Sequence, residues 1–364
     1  MAVAACGGAG NSAAKATTTK APVSTVSVST SASTTTSTTA HRHHLALCPL
    51  TGAPVPLADK AAKRAAVAVK VENLGQARPQ WGLDAADIVF EEPVEGGVTR
   101  FIAVFECQQA GRIEPVRSAR LVDAQILEPF GKVLFAFSGG IQPVMDEVGS
   151  PGSLLEDVGA QTAGQAYWRD PTRIAPHNLA TSTSLLYEAA AARGYPQTPP
   201  RPYFAYGPNP AGGKPVTAVH VGYPLDITTW TWSPAEHLWL RSYACPPGEQ
   251  EGCTPADNGP AMLGNGQQIS AADVVVLHVR MYPTPYLEDD NGAHEYELTL
   301  TGSGPAWVFR DGEELAGRWT RPRLGVPARF VEPDGTEIPL APGRAWEELV
   351  PYRDRVTVTG ATAP

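Results

Sequence analysis

The 364-residue chain lacks two features that would assign it to a membrane-spanning or a nucleic-acid-binding class. It contains no apolar run of about 18 residues, the length that would predict a membrane-spanning helix. Basic residues are in the minority: 28 Lys and Arg stand against 37 Asp and Glu, which gives a formal net charge of −9. General binding to nucleic acids or to anionic membranes depends on a basic surface, so the composition argues against both.

Motifs of well-known enzymes are missing as well. The sequence has no Gly-x-Ser-x-Gly nucleophile elbow, no His-Glu-x-x-His helix and no phosphate-binding loop, and Ser138-Gly139-Gly140 alone is a weak nucleophile signal. Its five cysteines include no pair with the two-residue spacing of a zinc knuckle. The sequence therefore predicts no metal ion and no cofactor.

A short motif stands out at the amino terminus. The segment Val3-Ala4-Ala5-Cys6 is followed by two glycines. Small or apolar residues before a cysteine are typical of a lipobox, in which Cys6 takes the lipid, so we interpret residues 1–6 as the remnant of a lipoprotein signal. A complete signal also has a basic region and an apolar region of about 7–15 residues, so we expect either that the true start lies upstream or that the signal was trimmed. The alternative is an alanine-rich start with an incidental cysteine.

Residues 7–44 are predicted to be a disordered Ser/Thr-rich tether. Within them, residues 11–40 hold no large apolar side chain beyond a few valines and show no helical period, so they cannot bury enough surface to offset the entropy of ordering. Such a coil has a root-mean-square span on the order of 35 Å. The tether ends in the basic residues His41, Arg42, His43 and His44. No carboxylate or cysteine cluster accompanies them, so we interpret them as solvated and not as a metal site.

The remaining residues, about 320 in number, are enough for two domains. Residues 45–200 alternate predicted strands with predicted helices, and this order indicates an N-terminal α/β domain. The period-two and helical patterns predict strands over residues 67–71, 86–90, 98–105 and 132–137, and helices over residues 118–130 and 182–193. Val67, Val69 and Val71 alternate with small or polar residues, as in a half-buried strand.

The first predicted helix places two arginines together. The apolar stripe of residues 118–130 is carried by positions 119, 122 and 126, and Ser118 is the expected cap. Arg117 and Arg120 lie roughly opposite this stripe. We therefore expect both arginines to leave the packing face on the same side.

After a proline-rich segment the pattern changes to short extended runs. Residues 211–364 are predicted to form a C-terminal, mostly antiparallel β-rich domain, with Asp311-Gly312 and Pro333-Asp334-Gly335 as hairpin turns. The predicted strands cover residues 216–223, 237–243, 273–280, 295–300, 305–309, 314–319 and 356–359. The whole chain is therefore predicted to be α+β.

Four cysteines remain once Cys6 carries a lipid, an even number that suits an oxidising compartment. Cys245 and Cys253 bracket a polar loop rich in Pro and Gly, and we predict a disulfide between them. Cys48 and Cys107 either pair with each other or stay as buried free thiols, and the sequence does not choose.

Several ordered segments carry a resemblance to a known family. They are Cys48-Pro-Leu-Thr-Gly52, Ala77-Arg78-Pro79-Gln80, Ala86-Asp87-Ile88-Val89-Phe90-Glu91, Val94-Glu95-Gly96-Gly97-Val98-Thr99-Arg100-Phe101, Pro115-Val116-Arg117-Ser118-Ala119-Arg120, Ala175-Pro176-His177-Asn178 and, later, Gly302-Ser303-Gly304-Pro305-Ala306 with Gly317-Arg318-Trp319. Over about residues 47–350 the chain resembles the YerB-like lipoproteins. The resemblance implies a bacterial, surface-anchored lipoprotein with an N-terminal and a C-terminal domain, and it carries no established activity.

The charged residues of these segments suggest a binding cleft. They sit beside predicted strand ends, helix starts and glycine turns, where charges must be solvated, paired or bound to a ligand. Arg100, Arg117 and Arg120 offer forked donors to a phosphate or carboxylate, and Glu92 and Glu95 would orient them. His177 and Asn178 complete this candidate site, and a helix start just after them would add backbone N–H groups.

Three functions fit these residues, and the sequence leaves all three open. The first is binding of an anionic ligand such as a cell-wall polymer, or of an envelope protein, without catalysis. The second is a wall-acting hydrolase or transferase with Glu92 or Glu95 as acid or base and His177 as its partner. The third is a purely structural Arg–Glu network. In each case we expect a protein on the extracytoplasmic face of the cell membrane, held by its lipid and without nucleic acid as partner.

The lipobox generates the first testable prediction. Expressed from an upstream start, the Cys6→Ala variant should move from the membrane fraction to the soluble exported fraction, because it has no thiol to acylate. Fractionation followed by immunoblotting measures this shift. Unchanged membrane retention of the variant would contradict the lipid anchor.

Overall fold

The computed structural model describes residues 45–56, 63–246, 257–288 and 292–360 of the chain. These residues form a strand-rich protein with a large mixed β-sheet. The predicted lipobox with Cys6, the predicted tether over residues 7–44 and Cys253 lie outside the described residues. Among the described residues, none of the helices combines the length and the apolar character needed to cross a membrane.

The described residues of the first half contain short strands and three α-helices. The strands are β1 (Leu45–Leu47), β2 (Pro54–Pro56), β3 (Val67–Glu72), β4 (Ile88–Pro93), β5 (Thr99–Phe105), β6 (Val133–Ala136), β7 (Leu155–Asp157), β8 (Tyr167–Arg169) and β9 (Leu179–Thr181). The helices are α1 (Leu121–Leu127), α2 (Gln142–Val148) and α3 (Thr183–Ala192). Single 3-10 turns occupy Gly75–Ala77, Leu83–Ala85, Glu95–Gly97, Glu128–Phe130 and Gly164–Ala166.

The regular elements in the described residues of the second half are strands. They are β10 (Lys214–Gly222), β11 (Ile227–Ser233), β12 (Leu238–Ala244), β13 (Gly259–Pro260), β14 (Ser270–Ala271), β15 (Asp273–Leu287), β16 (His294–Thr299), β17 (Gly302–Arg310), β18 (Glu313–Arg321), β19 (Arg329–Val331), β20 (Ala345–Pro351) and β21 (Arg355–Gly360).

One mixed sheet runs through both halves of the chain. Its strands pair in the order β7, β6, β3, β5, β4, β20, β15, β17, β18 and β19. The late strand β20 lies between β4 and β15 and pairs parallel to both. Hydrogen bonds therefore join residues of the first and second halves in a single sheet.

A second, antiparallel group of strands covers one face of this sheet. Its order is β21, β10, β11 and β12. Trp230 and Trp239 on these strands are fully buried in the same apolar cluster as Trp346 of β20. Helices α1 and α2 pack their apolar side chains into the cluster on the opposite face. Because both faces are covered, every residue of β3 and β4 is buried, and the expectation of a half-buried first strand is wrong.

Turn and cap chemistry explains several elements that the sequence predicted. Helix α3 begins after Ser182, whose side chain accepts a hydrogen bond from the N–H of Leu185 at 3.3 Å. Asp311 and Gly312 both have positive φ, 51° and 77°, as the tight turn between β17 and β18 requires. Helix α2 and ten of the described strands were not predicted, among them the long strands β11 and β20. In β20 the apolar pattern is interrupted by two glutamates, Glu347 and Glu348, although both are buried.

The first helix differs from its prediction. It begins at Leu121, and Arg120 is its N-cap, with the Arg120 N–H donating to Asp123 Oδ2 at 2.8 Å. Ser118 does not cap it, because residues before the helix are hydrogen-bonded elsewhere: the Ser118 hydroxyl donates to the Ser138 carbonyl at 3.1 Å, and the Arg117 N–H donates to the Lys70 carbonyl at 2.9 Å. Arg117 and Arg120 therefore do not share a helix face.

The cysteines left open by the sequence are paired. Cys48, after β1, forms a disulfide with Cys107, after β5, with a Cα–Cα distance of 6.1 Å. Cys245 is disulfide-bonded as well. Its predicted partner Cys253 lies outside the described residues, so the pairing of these two cysteines stays a prediction.

Removing the disulfide between Cys48 and Cys107 should destabilise the fold. The bond closes a loop with a sequence separation of 59 residues, and loss of a cross-link over a loop of this size lowers the unfolding free energy by about 4 kcal/mol in the chain-entropy model. Urea unfolding of the Cys48→Ala, Cys107→Ala double variant measures the difference. A midpoint equal to that of the wild type would show that the bond contributes no net stability.

Candidate functional site

The predicted arginines lie where three parts of the fold meet. Arg100 is on β5, and Arg117 and Arg120 are in the connection before α1. Glu95 stands in the turn between β4 and β5. The hairpin of β15 and β16 adds two carboxylates that the sequence analysis missed, Glu288 and Glu295.

Arg100 and Arg120 share the carboxylate of Glu95. Arg100 Nη2 donates to Glu95 Oε1 at 3.1 Å, and Arg120 Nε donates to Glu95 Oε2 at 2.8 Å. Burial acts to raise the pKa of Glu95, but the hydrogen bonds from Arg120 and the charges of both arginines outweigh it and lower that pKa to about 2. Glu95 is therefore ionised and held in place at neutral pH.

The guanidinium of Arg100 is also affected by its neighbours. Burial lowers the pKa of Arg100, the charges of Arg120 and Arg117 lower it further, and the result is about 10. Arg100 Nη1 donates to the Ser118 carbonyl at 3.0 Å. The three predicted arginines are thus close enough to repel one another, and the carboxylates around them offset that repulsion.

Arg120 is satisfied within the protein. Besides Glu95 it contacts Glu288 Oε2 at 3.0 Å and Glu295 Oε2 at 3.6 Å, and its side chain is only 4% exposed. Burial and a hydrogen bond with Glu288 raise the pKa of Glu295 to about 9, so this carboxyl keeps a proton at neutral pH. A ligand could reach Arg120 only by displacing these partners.

Arg117 and His177 form a second, more open group. Arg117 Nε lies 3.2 Å from Glu72 Oε1, and His177 Nδ1 lies 2.9 Å from Glu72 Oε2. The Arg117 and His177 side chains are 23% and 19% exposed, whereas Glu72 is 1% exposed. The two terminal nitrogens of Arg117 make no hydrogen bond within the part of the chain that the structure describes. Glu72 ends an apolar strand, and its role was not recognised from the sequence.

Glu92 lies elsewhere. Its carboxylate accepts a hydrogen bond from Lys70, which also donates to Asp123 Oδ1 at 2.6 Å, and Lys70 and Glu92 are fully buried. Glu92 therefore does not orient the arginines as predicted. Burial and the charge of Asp123 raise the pKa of Glu92 to about 8, against the opposing effect of Lys70.

Asn178 organises a loop. Its Nδ2 donates to the carbonyls of Asp170 and Arg173 at 3.1 and 3.2 Å, and its Oδ1 accepts from Arg169 Nη1 at 2.7 Å. Strand β9 follows Asn178 directly, and α3 starts later at Thr183. The helix start expected just after His177 and Asn178 is therefore wrong.

The geometry also bears on the acid–base hypothesis. Glu92 is fully buried and cannot touch a substrate. Glu95 is held by two guanidinium groups with a low pKa and is a poor proton acceptor near neutral pH. Neither carboxylate is arranged as a general acid or base with His177, which contacts Glu72 instead.

Glu92 generates a pH-dependent prediction. Its pKa rises from 4.5 in its ordinary state to about 8 in the folded protein, so between these values the folded state keeps a proton that the unfolded chain has lost. The contribution of protonated Glu92 to the unfolding free energy of the wild type is thus present at low pH and is lost as the pH rises through about 8. The Glu92→Gln variant has no such loss, so its unfolding free energy relative to wild type should increase from pH 5 to 8, by at most about 1.4 kcal/mol per pH unit.

Urea unfolding at several pH values measures this effect. The Glu337→Gln variant is the control, since the Glu337 side chain is 43% exposed and its carboxylate lies 3.9 Å from the Arg329 guanidinium. Parallel pH profiles for wild type and Glu92→Gln would contradict the raised pKa.

Comparison with known proteins agrees with the sequence motifs. Two family descriptions match the chain: "Protein of unknown function (DUF3048) N-terminal domain" over residues 50–196, and "Protein of unknown function (DUF3048) C-terminal domain" over residues 219–346. A Bacillus subtilis (strain 168) protein named "Putative lipoprotein YerB" is 27% identical over 317 residues, which cover 85% of this chain and 88% of that protein.

A solved structure has the same fold. The crystal structure of the YerB protein from Bacillus subtilis superposes with a TM-score of 0.69 at 23% sequence identity, covering 86% of this chain and 99% of the other. The two matching domain descriptions together span most of the residues that the structure describes. The chain therefore belongs to the YerB-like family, whose members combine these N-terminal and C-terminal domains of unknown function.

Proposed function

We propose that this protein is an exported lipoprotein, anchored by a lipid on Cys6 to the extracytoplasmic face of the cell membrane. The lipobox and the name of the Bacillus subtilis relative support this proposal. Residues 45–200 and 211–364 would act as its N-terminal and C-terminal domains, in keeping with the residues matched by the two family descriptions. Residues 7–44 would hold them clear of the membrane.

Its function would be to bind an anionic envelope ligand without catalysis. The carrying observation is that Arg117 and His177, both partly exposed, share the single buried carboxylate of Glu72. Arg117 then keeps its two terminal nitrogens available for the paired oxygens of a phosphate or carboxylate. Phosphate-containing and carboxylate-containing wall polymers supply such groups.

The remaining candidate residues would hold in place the segments that carry Arg117 and His177. Arg100 and Arg120 are 8% and 4% exposed and bind Glu95, so their role would be to fix the connection that carries Arg117. Asn178 would hold the loop that carries His177. A structural role for Arg100 and Arg120 is thus compatible with ligand binding at Arg117.

Charge reversal at Arg117 tests the proposal. Binding of purified wall fragments or of a phosphate polymer to the Arg117→Glu variant should fall at least tenfold, because the variant repels the anion. Binding by the wild type should weaken as salt rises, since the exposed part of the site is screened. Co-sedimentation or surface plasmon resonance measures both effects.

The Arg329→Glu variant is the matched control. It makes the same charge change at a side chain that is 74% exposed and distant in sequence, and its binding should equal that of the wild type. Thermal melting must first show that both variants are folded. Equal binding by Arg117→Glu and Arg329→Glu would reject the site. Release of soluble fragments from the wall material would show catalysis and so contradict binding without catalysis.

A further inference from the structure

His177 presents a free ring nitrogen at the proposed anion site. Its Nδ1 lies 2.9 Å from Glu72 Oε2, and its side chain is 19% exposed. Within the part of the chain that the structure describes, the Nε2 atom of His177 has no hydrogen-bond partner. One nitrogen of the ring is therefore fixed by the protein, and the other is left to solvent or to a ligand.

The contact with Glu72 determines what Nε2 of His177 can do. A carboxylate accepts hydrogen bonds, and a neutral imidazole carries a proton on only one of its two nitrogens. When that proton is on Nδ1 and points to Glu72, Nε2 of the neutral ring is an acceptor and would face an anion with its lone pair. Once protonated, the same nitrogen becomes a donor and the ring carries a positive charge. Only the protonated ring favours an anion.

Arg117 is the reason that the charge on His177 matters. Arg117 Nε lies 3.2 Å from Glu72 Oε1, so the guanidinium and the imidazole contact the two oxygens of one carboxylate. With a neutral His177, the charges of Arg117 and Glu72 cancel. Protonation of His177 leaves one positive charge in this group without a counterpart, and a bound anion would offset that charge.

The other charged side chains of the surrounding elements keep the same partners with or without this proton. Carboxylates hold most of the arginines of β5, of the connection before α1 and of the loop over residues 170–178, and an amide holds one. These pairs are Arg100 and Arg120 with Glu95, Arg173 with Glu114, Arg112 with Glu114 and Asp170, and Arg169 with the Asn178 amide oxygen. The proton on His177 therefore changes the net charge that a ligand meets at Arg117.

We propose that anion binding at Arg117 is coupled to proton uptake by His177. The inference rests on the proposed function, since it concerns the same site, and it adds that the site binds more tightly as the pH falls. An imidazole changes its charge between about pH 5 and 8, so the coupling acts in that range. By linkage, the anion favours the protonated ring as much as the protonated ring favours the anion.

Titration calorimetry with poly(glycerol phosphate) tests this inference, because phosphodiester groups have no second proton to lose and keep their charge over this range. The affinity of the full chain should be about fivefold or more higher at pH 5.5 than at pH 8, the effect of one unit charge a few ångströms away. Repeating the titration at an intermediate pH in buffers of different ionisation enthalpy counts the protons. We expect uptake of a fraction of a proton per site, and at most about one.

The His177→Asn variant separates the proton from the hydrogen bond. The Asn amide nitrogen can donate to Glu72 in place of Nδ1, but it does not titrate and does not reach the position of Nε2. This variant should take up fewer protons than the wild type and keep a low affinity at both pH values. His237→Asn is the matched control: His237 is exposed, and Asn tolerates its φ of 53°, so binding should equal that of the wild type.

Equal proton uptake by the wild type and by folded His177→Asn would overturn the coupling and leave the proposed function in place. A wild type that binds the polymer without taking up a proton would do the same, and this measurement needs no variant. Failure of the wild type to bind at either pH would reject the proposed function and the coupling together. Thermal melting checks the fold of each variant, and His177→Gln replaces His177→Asn if the latter is unfolded.

Discussion

The guanidinium of Arg241 binds two carboxylates inside the core, and the arrangement of the strands depends on this contact. Arg241 Nη1 lies 2.7 Å from Glu91 Oε2 on β4 and 3.1 Å from Glu348 Oε1 on β20, and all three side chains are 0% exposed. Burial and the charge of Glu91 raise the pKa of Glu348 to about 8, so a proton balances the charges. Removing one partner from such a site costs about 3–5 kcal/mol, which opposes any other register of β4 beside β20.

The same arrangement of a buried cation between acidic side chains recurs at two other places in the described chain. Lys70 lies between Glu92 and Asp123, and Arg120 lies among Glu95, Glu288 and Glu295. Such networks hold the connection before α1 against the sheet. Arg117 and His177 differ because each keeps part of its side chain exposed. The proposed binding site therefore lies where the charged side chains Arg117 and His177 reach solvent.

Local patterns predicted a good part of the fold and less of the site. The valines of β3, the Ser182 cap of α3 and the Asp311-Gly312 turn were recognisable because their signals lie within a few residues. The start of α1 was not, since hydrogen bonds to residues 70, 138 and 139 hold the preceding segment extended. Glu72 was missed for a similar reason: at the end of an apolar strand, only its contacts with Arg117 and His177 reveal its role.

The sequence by itself determined the family motifs, about half of the described strands, two of the three described helices and the acidic character of the chain, because these depend on residue type and spacing. Only the tertiary structure decided which charges pair. Arg120 meets Glu95 from 25 positions away, and the Leu121 N–H meets Glu295 across 174 positions. The contact with Glu295 depends on the insertion of β20 between β4 and β15, and that pairing of distant strands has no local signal in the sequence.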